Sequence, residues 1–315
     1  MRISGFSFGK NAVKLYFPFK EAVASILPLV DEFVVALGDS DEDDRSREAL
    51  ESLRSPKLKL IDTVWDLAAY PRGMENAHQT DVAKSHCRGD WLFYLQADEV
   101  IHEKYLPVIR ARCEELLHAE AVEGLLFGYQ HFWGDYQHVH RSHGWYRHEI
   151  RIIRNRPDIH SWESAQSFRV IPNFDGKSYR QQAGTRKLRV AKVDAEVYHY
   201  GWVRPPKLMQ AKSQALDTIH KGAAAAQELH ADRPLAFDYG DLSRIPTFEG
   251  THPEVMKDFI ARFDWADQLR FTGGNPDNRP LYKHEQLKYR VVSWLENHLP
   301  GRPELGSFRN YELVR

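Results

Sequence analysis

Short apolar runs recur through the first third of the chain, and polar, helix-periodic stretches separate them. Residues 2–8, RISGFSF, predict a short strand. Residues 18–29 predict a helix, with Pro18 suited to its first turn and Pro28 to its end. EFVVALGD, residues 32–39, is apolar almost throughout and stops at Gly38-Asp39, as a strand buried on both faces does. Residues 41–54 open with acids and close on Arg54, matching the dipole of a helix. LKLIDTVW (58–65) predicts a third strand, and residues 74–87 a helix stopped by Gly89. WLFYLQAD (91–98) is a fourth strand that ends abruptly on acids, and residues 104–119 a helix with Pro107 near its start. Strand and helix alternate, so the fold class is α/β, with a mainly parallel sheet flanked by helices.

The pattern changes near Glu123. GLLFGYQHFWGDYQHVH (124–140) alternates and is rich in Tyr, Phe, Trp and His. HEIRIIRNRPDIHSWE (148–163) reads as a strand, a turn at Arg156-Pro157-Asp158 and a loop. AEVYHYGWVRPP (195–206) is strand-like, so mixed or antiparallel pairing is expected here. The last third reads as helices over 207–230, weakened at Gly222, then 252–268 and 282–299. These shifts divide the chain into residues 1–122, 123–206 and a C-terminal helical extension, 207–315.

Composition narrows the function. The chain has 315 residues, with 43 basic and 44 acidic side chains, which argues against a dedicated nucleic-acid binder. Its 2 cysteines, Cys87 and Cys113, make no disulfide framework and fit a reducing compartment. MRISGFSFGKNAVKLYF has no long apolar signal core, and no stretch approaches the ~18 apolar residues that span a bilayer. The expectation is a soluble, cytoplasmic protein with room for peripheral membrane contact and self-association. Aromatic residues interleaved with His between His131 and His160 suit a carbohydrate surface: rings stack on sugar faces and polar rims bind hydroxyls.

In open α/β sheets ligands bind at the carboxyl ends of the strands. Two such ends carry acids, Asp39 and Asp98-Glu99. Hard cations such as Mg²⁺ and Mn²⁺ prefer carboxylates, phosphate oxygens and water, so one or two protein ligands suffice when a diphosphate supplies the rest. The competing reading is a helix cap by Asp98 or Glu99. No Walker-type loop, H-E-x-x-H or G-x-S-x-G occurs. His138, His140 and His143 lack a cysteine or clear geometric partner and read as acceptor-site or surface polarity.

Over its first ~120 residues, a normal domain length, the chain resembles the GT-A-type glycosyltransferases of family two. The resemblance rests on an ordered set: the acid-rich Gly38-Asp39-Ser40-Asp41-Glu42-Asp43, the stretch Arg72 to Asn76, and Gln96-Ala97-Asp98-Glu99 at the end of an apolar strand. It implies a Rossmann-like sheet and a nucleotide-sugar donor, with Asp39 at the base, Asp41 at the ribose and Arg72 at the base or diphosphate. Asp98 would ligate a divalent cation, Mn²⁺ or Mg²⁺. Gln96 stands where the family usually has Asp; it can bond a ribose hydroxyl but adds no charge. His199 in YHYGWVRPP matches a His-Tyr-Gly segment of related bacterial transferases whose His completes the metal site. Lys207 and Lys212 on the following helix are within reach of the diphosphate.

An inverting transfer needs a carboxylate base for the acceptor hydroxyl. Glu163, beside Trp162, is the first candidate, and Glu149, flanked by Arg147 and Arg151, the second. The expected activity is transfer of a sugar to a glycan, a lipid-linked saccharide or another hydroxyl acceptor in bacterial-type glycan biosynthesis. The alternatives are a sugar nucleotidyltransferase, given Gly5, Gly9, Lys10 and Lys14 in GFSFGKNAVK, and an inactive nucleotide- or carbohydrate-binding protein.

Overall fold

The computed structural model describes residues 1–272, 279–300, 304–306 and 308–314. The first third runs β1 (Ile3–Gly9), α1 (Phe19–Ile26), β2 (Glu32–Leu37), α2 (Ser46–Glu51), β3 (Leu58–Asp62), α3 (Met74–Ser85), β4 (Trp91–Tyr94), β5 (Glu99–Ile101) and α4 (Leu106–Glu115). The middle holds β6 (Gly124–Trp133), β7 (Val139–His140), β8 (His148–Arg154), β9 (Ile159–Trp162), β10 (Ser167–Val170) and the long β11 (Arg186–Trp202). Then come α5 (Pro206–Lys221), α6 (Ala223–His230), α7 (Lys257–Ile260), α8 (Leu287–His298) and β12 (Tyr311–Leu313).

The sheet follows the order β3-β2-β1-β4-β8-β6-β11-β10-β9, with β5 and β12 on β11 and β7 on β6. Strands β3, β2, β1 and β4 are mutually parallel, the order of a Rossmann half. β8 joins antiparallel to β4 and β6, and β6 runs parallel to β11. The α/β class is the one the sequence predicts.

Helices on both faces explain the unbroken apolar runs. Phe33, Val35, Trp91 and Phe93 pack on one side with Phe19 and Val23 of α1 and Ile109 of α4. Val34, Ala36, Leu92 and Tyr94 point to the other side, where Ala83 of α3 packs. Alternate side chains of one strand therefore enter different cores, and each must be apolar.

The helix expected over 41–54 is confined to α2, the C-terminal helical region also contains the strand β12, and two further regions differ more widely. The loop expected after Asp158 contains β9, paired antiparallel with β10, because Ile159 and Ser161 are buried there. The helix expected over 252–268 shrinks to α7 and two 3-10 turns. Trp265 is drawn into a third, aromatic core with Phe132, Trp133 and Tyr200, and its Nε1 donates to Gly134 O at 2.9 Å. The predicted helix over 207–230 breaks where expected, at Gly222 with φ 88°.

Candidate active site

β1 delivers Lys10, β2 delivers Asp39, and β4 ends in the turn that carries Gln96 and Asp98. Helix α5 covers the turn with Lys212, Leu216 and Ile219. The result is a cavity of about 450 Å³ whose wall includes Phe8, Lys10, Trp65, Gln96, Asp98, His199 and Lys212. Beside it lies a second cavity of about 660 Å³, lined by Glu149, Trp162, Glu163 and His143. Trp145, Tyr146 and Gln166 belong to both walls.

Asp98 and His199 meet because Tyr200 N donates to Asp98 O at 2.8 Å, pinning β11 against the turn. The Asp98 Oδ2 to His199 Nε2 distance is 3.8 Å. His199 lies opposite His131 in the parallel β6–β11 pair, and their Nδ1 atoms are 2.9 Å apart. His131 Nε2 is 2.8 Å from the Tyr146 carbonyl, so it must donate there. Burial, reinforced by His199, pushes His131 down to about 3, which leaves it neutral with a bare Nδ1. His199 Nδ1 then carries the proton and donates to His131. The Nε2 lone pair of His199 is thereby aimed at Asp98, the tautomer a metal ligand needs. Burial also pushes His199 down to about 4, against the pull of Asp98, so this pair is no salt bridge at neutral pH.

Gly201 completes the arrangement. A Cβ there would lie 2.5 Å from His199 Nε2 and 2.7 Å from Asp98 Oδ2. Only glycine leaves the space beside Asp98 Oδ2 and His199 Nε2 open. Lys212 Nζ sits 3.3 Å from Asp98 Oδ2 and donates to Gly201 O at 2.6 Å. Its ammonium also faces the rings of Phe17 and Trp202. Burial and then Arg204 press Lys212 down to about 8, with Asp98 pulling the other way. For Asp98 burial is the largest influence and raises its pKa, but Lys212, His199 and Arg204 outweigh it and hold the carboxyl below its usual range.

Glu99 has a different part. It is fully buried and forms a two-pronged pair with Arg151, 2.7 Å in each bond. Tyr129 Oη donates to Glu99 at 2.8 Å, and Gln96 N does so at 3.1 Å. Glu99 is the internal anchor of the turn that aims Asp98. Neither acid caps a helix: His102 Nδ1 accepts from Lys104 N in the turn that follows.

The other sequence-derived candidates fall into three groups. Gln96 lies in the first cavity, where its amide donates to Ala165 O at 3.0 Å. Asp39 is exposed and outside the cavity wall, but it pairs with Lys10 at 2.9 Å and accepts from Trp65 N at 3.0 Å, and both partners belong to that wall. Asp41 is further out and paired with Lys14 at 2.7 Å. The sequence reading put Arg72 and Lys207 at the cofactor site, but both are exposed and outside the cavity wall. Arg72 precedes α3 at φ 57°, and its carbonyl accepts from Arg180. Lys207 is the exposed residue of the first turn of α5, where Pro206 and Met209 are buried, and Lys212 is the lysine that reaches inward.

Both base candidates line the second cavity. Glu163 is partly exposed, 3.8 Å from Arg180, and has φ 57°; Ala165 has φ 63°. Left-handed backbone at residues with side chains costs on the order of 1–3 kcal/mol each, so this loop is held in place by its surroundings. Ser164 and Gln166 from the same loop face the first cavity. Glu149 is buried, and burial pushes its carboxyl upward. Its Oε1 accepts from Ser167 Oγ at 2.7 Å and from Ile150 N at 3.0 Å, while Arg151 is engaged with Glu99. Of the three His residues left aside, His138 binds Asp135, His140 stacks on Trp145, and His143 meets Glu296.

The sequence reading missed His131, the partner that orients His199, and Arg151, the partner of Glu99. It also gave Lys10 no place beside Asp39. Among the described residues, no group of three or more His, Cys, Asp or Glu gathers to hold a metal ion, and no helix is long and apolar enough to cross a membrane.

The sequence matches no protein-family model and no curated protein. Among solved structures, the chain is similar to S. aureus TarS in complex with UDP, at 15% identity over 74% of this chain and 70% of that one, with a TM-score of 0.38. It is also similar to glucosyl-3-phosphoglycerate synthase from Mycobacterium tuberculosis in complex with Mn²⁺, UDP and phosphoglyceric acid, at 18% identity and a TM-score of 0.29. That match covers 41% of this chain and 43% of the synthase, less than half the length of either. Likeness at this level assigns no activity, so the functional reading rests on the site itself.

Proposed function

We propose that the protein is a nucleotide-sugar-dependent glycosyltransferase that moves a sugar onto a saccharide or other hydroxyl acceptor with inversion. One observation carries this reading: two cavities meet at Trp145, Tyr146 and Gln166, one with Asp98, His199 and Lys212, the other with Glu163 and Glu149. A donor diphosphate at strand ends and an acceptor hydroxyl across a shared wall is the arrangement a single displacement needs.

In this reading the base of the nucleotide rests near Phe8 and Trp65, with Asp39 beside Lys10. Gln96 and Asn76 face the ribose and diphosphate. Asp98 and the Nε2 of His199 fit a divalent cation, Mn²⁺ or Mg²⁺, that takes its other ligands from the diphosphate and water. When bound, such a cation offsets charge on the departing diphosphate. Lys212 adds a second positive charge from the protein, leaving its contact with Asp98 to meet a phosphate oxygen. Glu163 takes the proton of the acceptor hydroxyl while that oxygen attacks the anomeric carbon and the bond to the diphosphate breaks. Glu149, held by Ser167, supports the acceptor floor. Residues 1–122 then form the donor half and 123–206 the acceptor half. The C-terminal region contributes the covering helix α5, and synthesis draws on cytoplasmic donors.

The test compares Glu163→Gln with Glu149→Gln at saturating donor. Glu163→Gln is expected to lower kcat by about 10²–10⁴-fold, with nucleotide affinity retained. Glu149→Gln is expected to lose less than about tenfold, since a neutral amide still bonds Ser167. A larger loss in Glu149→Gln would reverse the assignment.

A further inference from the structure

Helix α8 is turned inside out. Its buried face is polar: Glu296 is 1% exposed, with Oε1 2.9 Å from His143 Nδ1 and Oε2 3.3 Å from Arg147. Ser293 Oγ accepts from His143 N at 2.8 Å, and Tyr289 stacks on the His143 ring. Its outer face is apolar. With about 100° per residue, Leu287, Val291, Trp294 and His298 fall on one stripe and Leu295 borders it. Leu287 is 73%, Trp294 59% and Val291 50% exposed. Lys288 and Arg290 flank the stripe on either side. A helix that faces water normally carries the opposite pattern, so this face is built to be covered.

We propose that α8 docks the protein on an anionic membrane surface. Apolar residues including a Trp between two flanking cations are the pattern of a helix lying in a lipid interface. Charge supports lipid over a second protein copy. Lys283, Lys288 and Arg290 are exposed, whereas the two acids of residues 281–300 are occupied: Glu296 is buried, and Glu285 pairs with Arg279 at 2.7 Å. The position is also apt. His143 links α8 directly to the second cavity, so a membrane under α8 lies beside that opening. The inference stands on α8 itself and survives a failure of the transferase reading.

The experiment is cosedimentation of the full chain with phosphatidylcholine vesicles, with and without phosphatidylglycerol. Binding is expected only with phosphatidylglycerol, weakening as salt rises. The exposed double variant V291S/W294S is expected to reduce partitioning at least about tenfold, with far-ultraviolet circular dichroism and the thermal midpoint unchanged. K288Q/R290Q is expected to abolish the preference for the anionic vesicles. Equal binding of wild type and V291S/W294S, or no binding to either vesicle, overturns the proposal. So does a dimer in light scattering that V291S/W294S dissociates, since that assigns the face to a second copy of the chain.

Discussion

Asp98→Asn is expected to lower kcat by on the order of 10²–10³-fold, with the fold intact. The change keeps the shape of the side chain and its ability to accept from Lys212. It removes the one negative charge that faces His199, Lys212 and Arg204 together. In the proposed reading a divalent cation would lose its charged protein ligand and keep only the His199 lone pair. Lys212, already pressed down to about 8, loses the carboxylate that supports its charge. Under the proposed function, both cationic contributions to the leaving diphosphate would weaken at once. The checks are steady-state release of nucleoside diphosphate and Mn²⁺ affinity by calorimetry. Unchanged kcat with unchanged Mn²⁺ affinity would remove Asp98 from the site.

The second large effect falls on stability. Glu99→Ala is expected to destabilise the protein by about 3–5 kcal/mol, read as a lower urea midpoint. Glu99 and Arg151 both have fully buried side chains, and truncating the acid strands a guanidinium that water cannot reach. Tyr129 Oη and Gln96 N lose their acceptor in the same step. The double variant Glu99→Leu/Arg151→Met is expected to recover part of the loss, because a buried pair replaced whole by apolar groups is often neutral. It should stop short of wild type, since Tyr129 and Gln96 stay unpaired. A loss below about 1 kcal/mol in Glu99→Ala would match an exposed pair and contradict this account of the turn.

Much of the parallel half was legible because its strands are buried on both faces and their apolar runs are continuous. Strand ends point to Asp98, and the resemblance points to Gln96 and His199; the structure brings all three to one cavity. Pairing across the sheet was not legible. Arg151 lies in β8 and His131 in β6, and nothing local marks them as partners of Glu99 and His199. The choice between Lys207 and Lys212 did have a signal. Met209, Lys212, Leu216 and Ile219 fall at helical spacing on one stripe, which places Lys212 on the apolar side and Lys207 off it. For α8, spacing shows an apolar stripe but not which way it faces. Only the bonds of Glu296 and Ser293 to His143 settle that.

Transfer from a nucleotide-sugar donor at the Asp98–His199–Lys212 site is the proposed activity. The most direct measurement incubates the protein with a panel of nucleotide sugars and Mn²⁺, adds saccharide acceptors, and separates the nucleotides by anion exchange. The account predicts free nucleoside diphosphate from one donor, with release lost in Asp98→Asn. Pyrophosphate released from a nucleoside triphosphate and a sugar phosphate would contradict it, as would donor binding with no turnover for any acceptor.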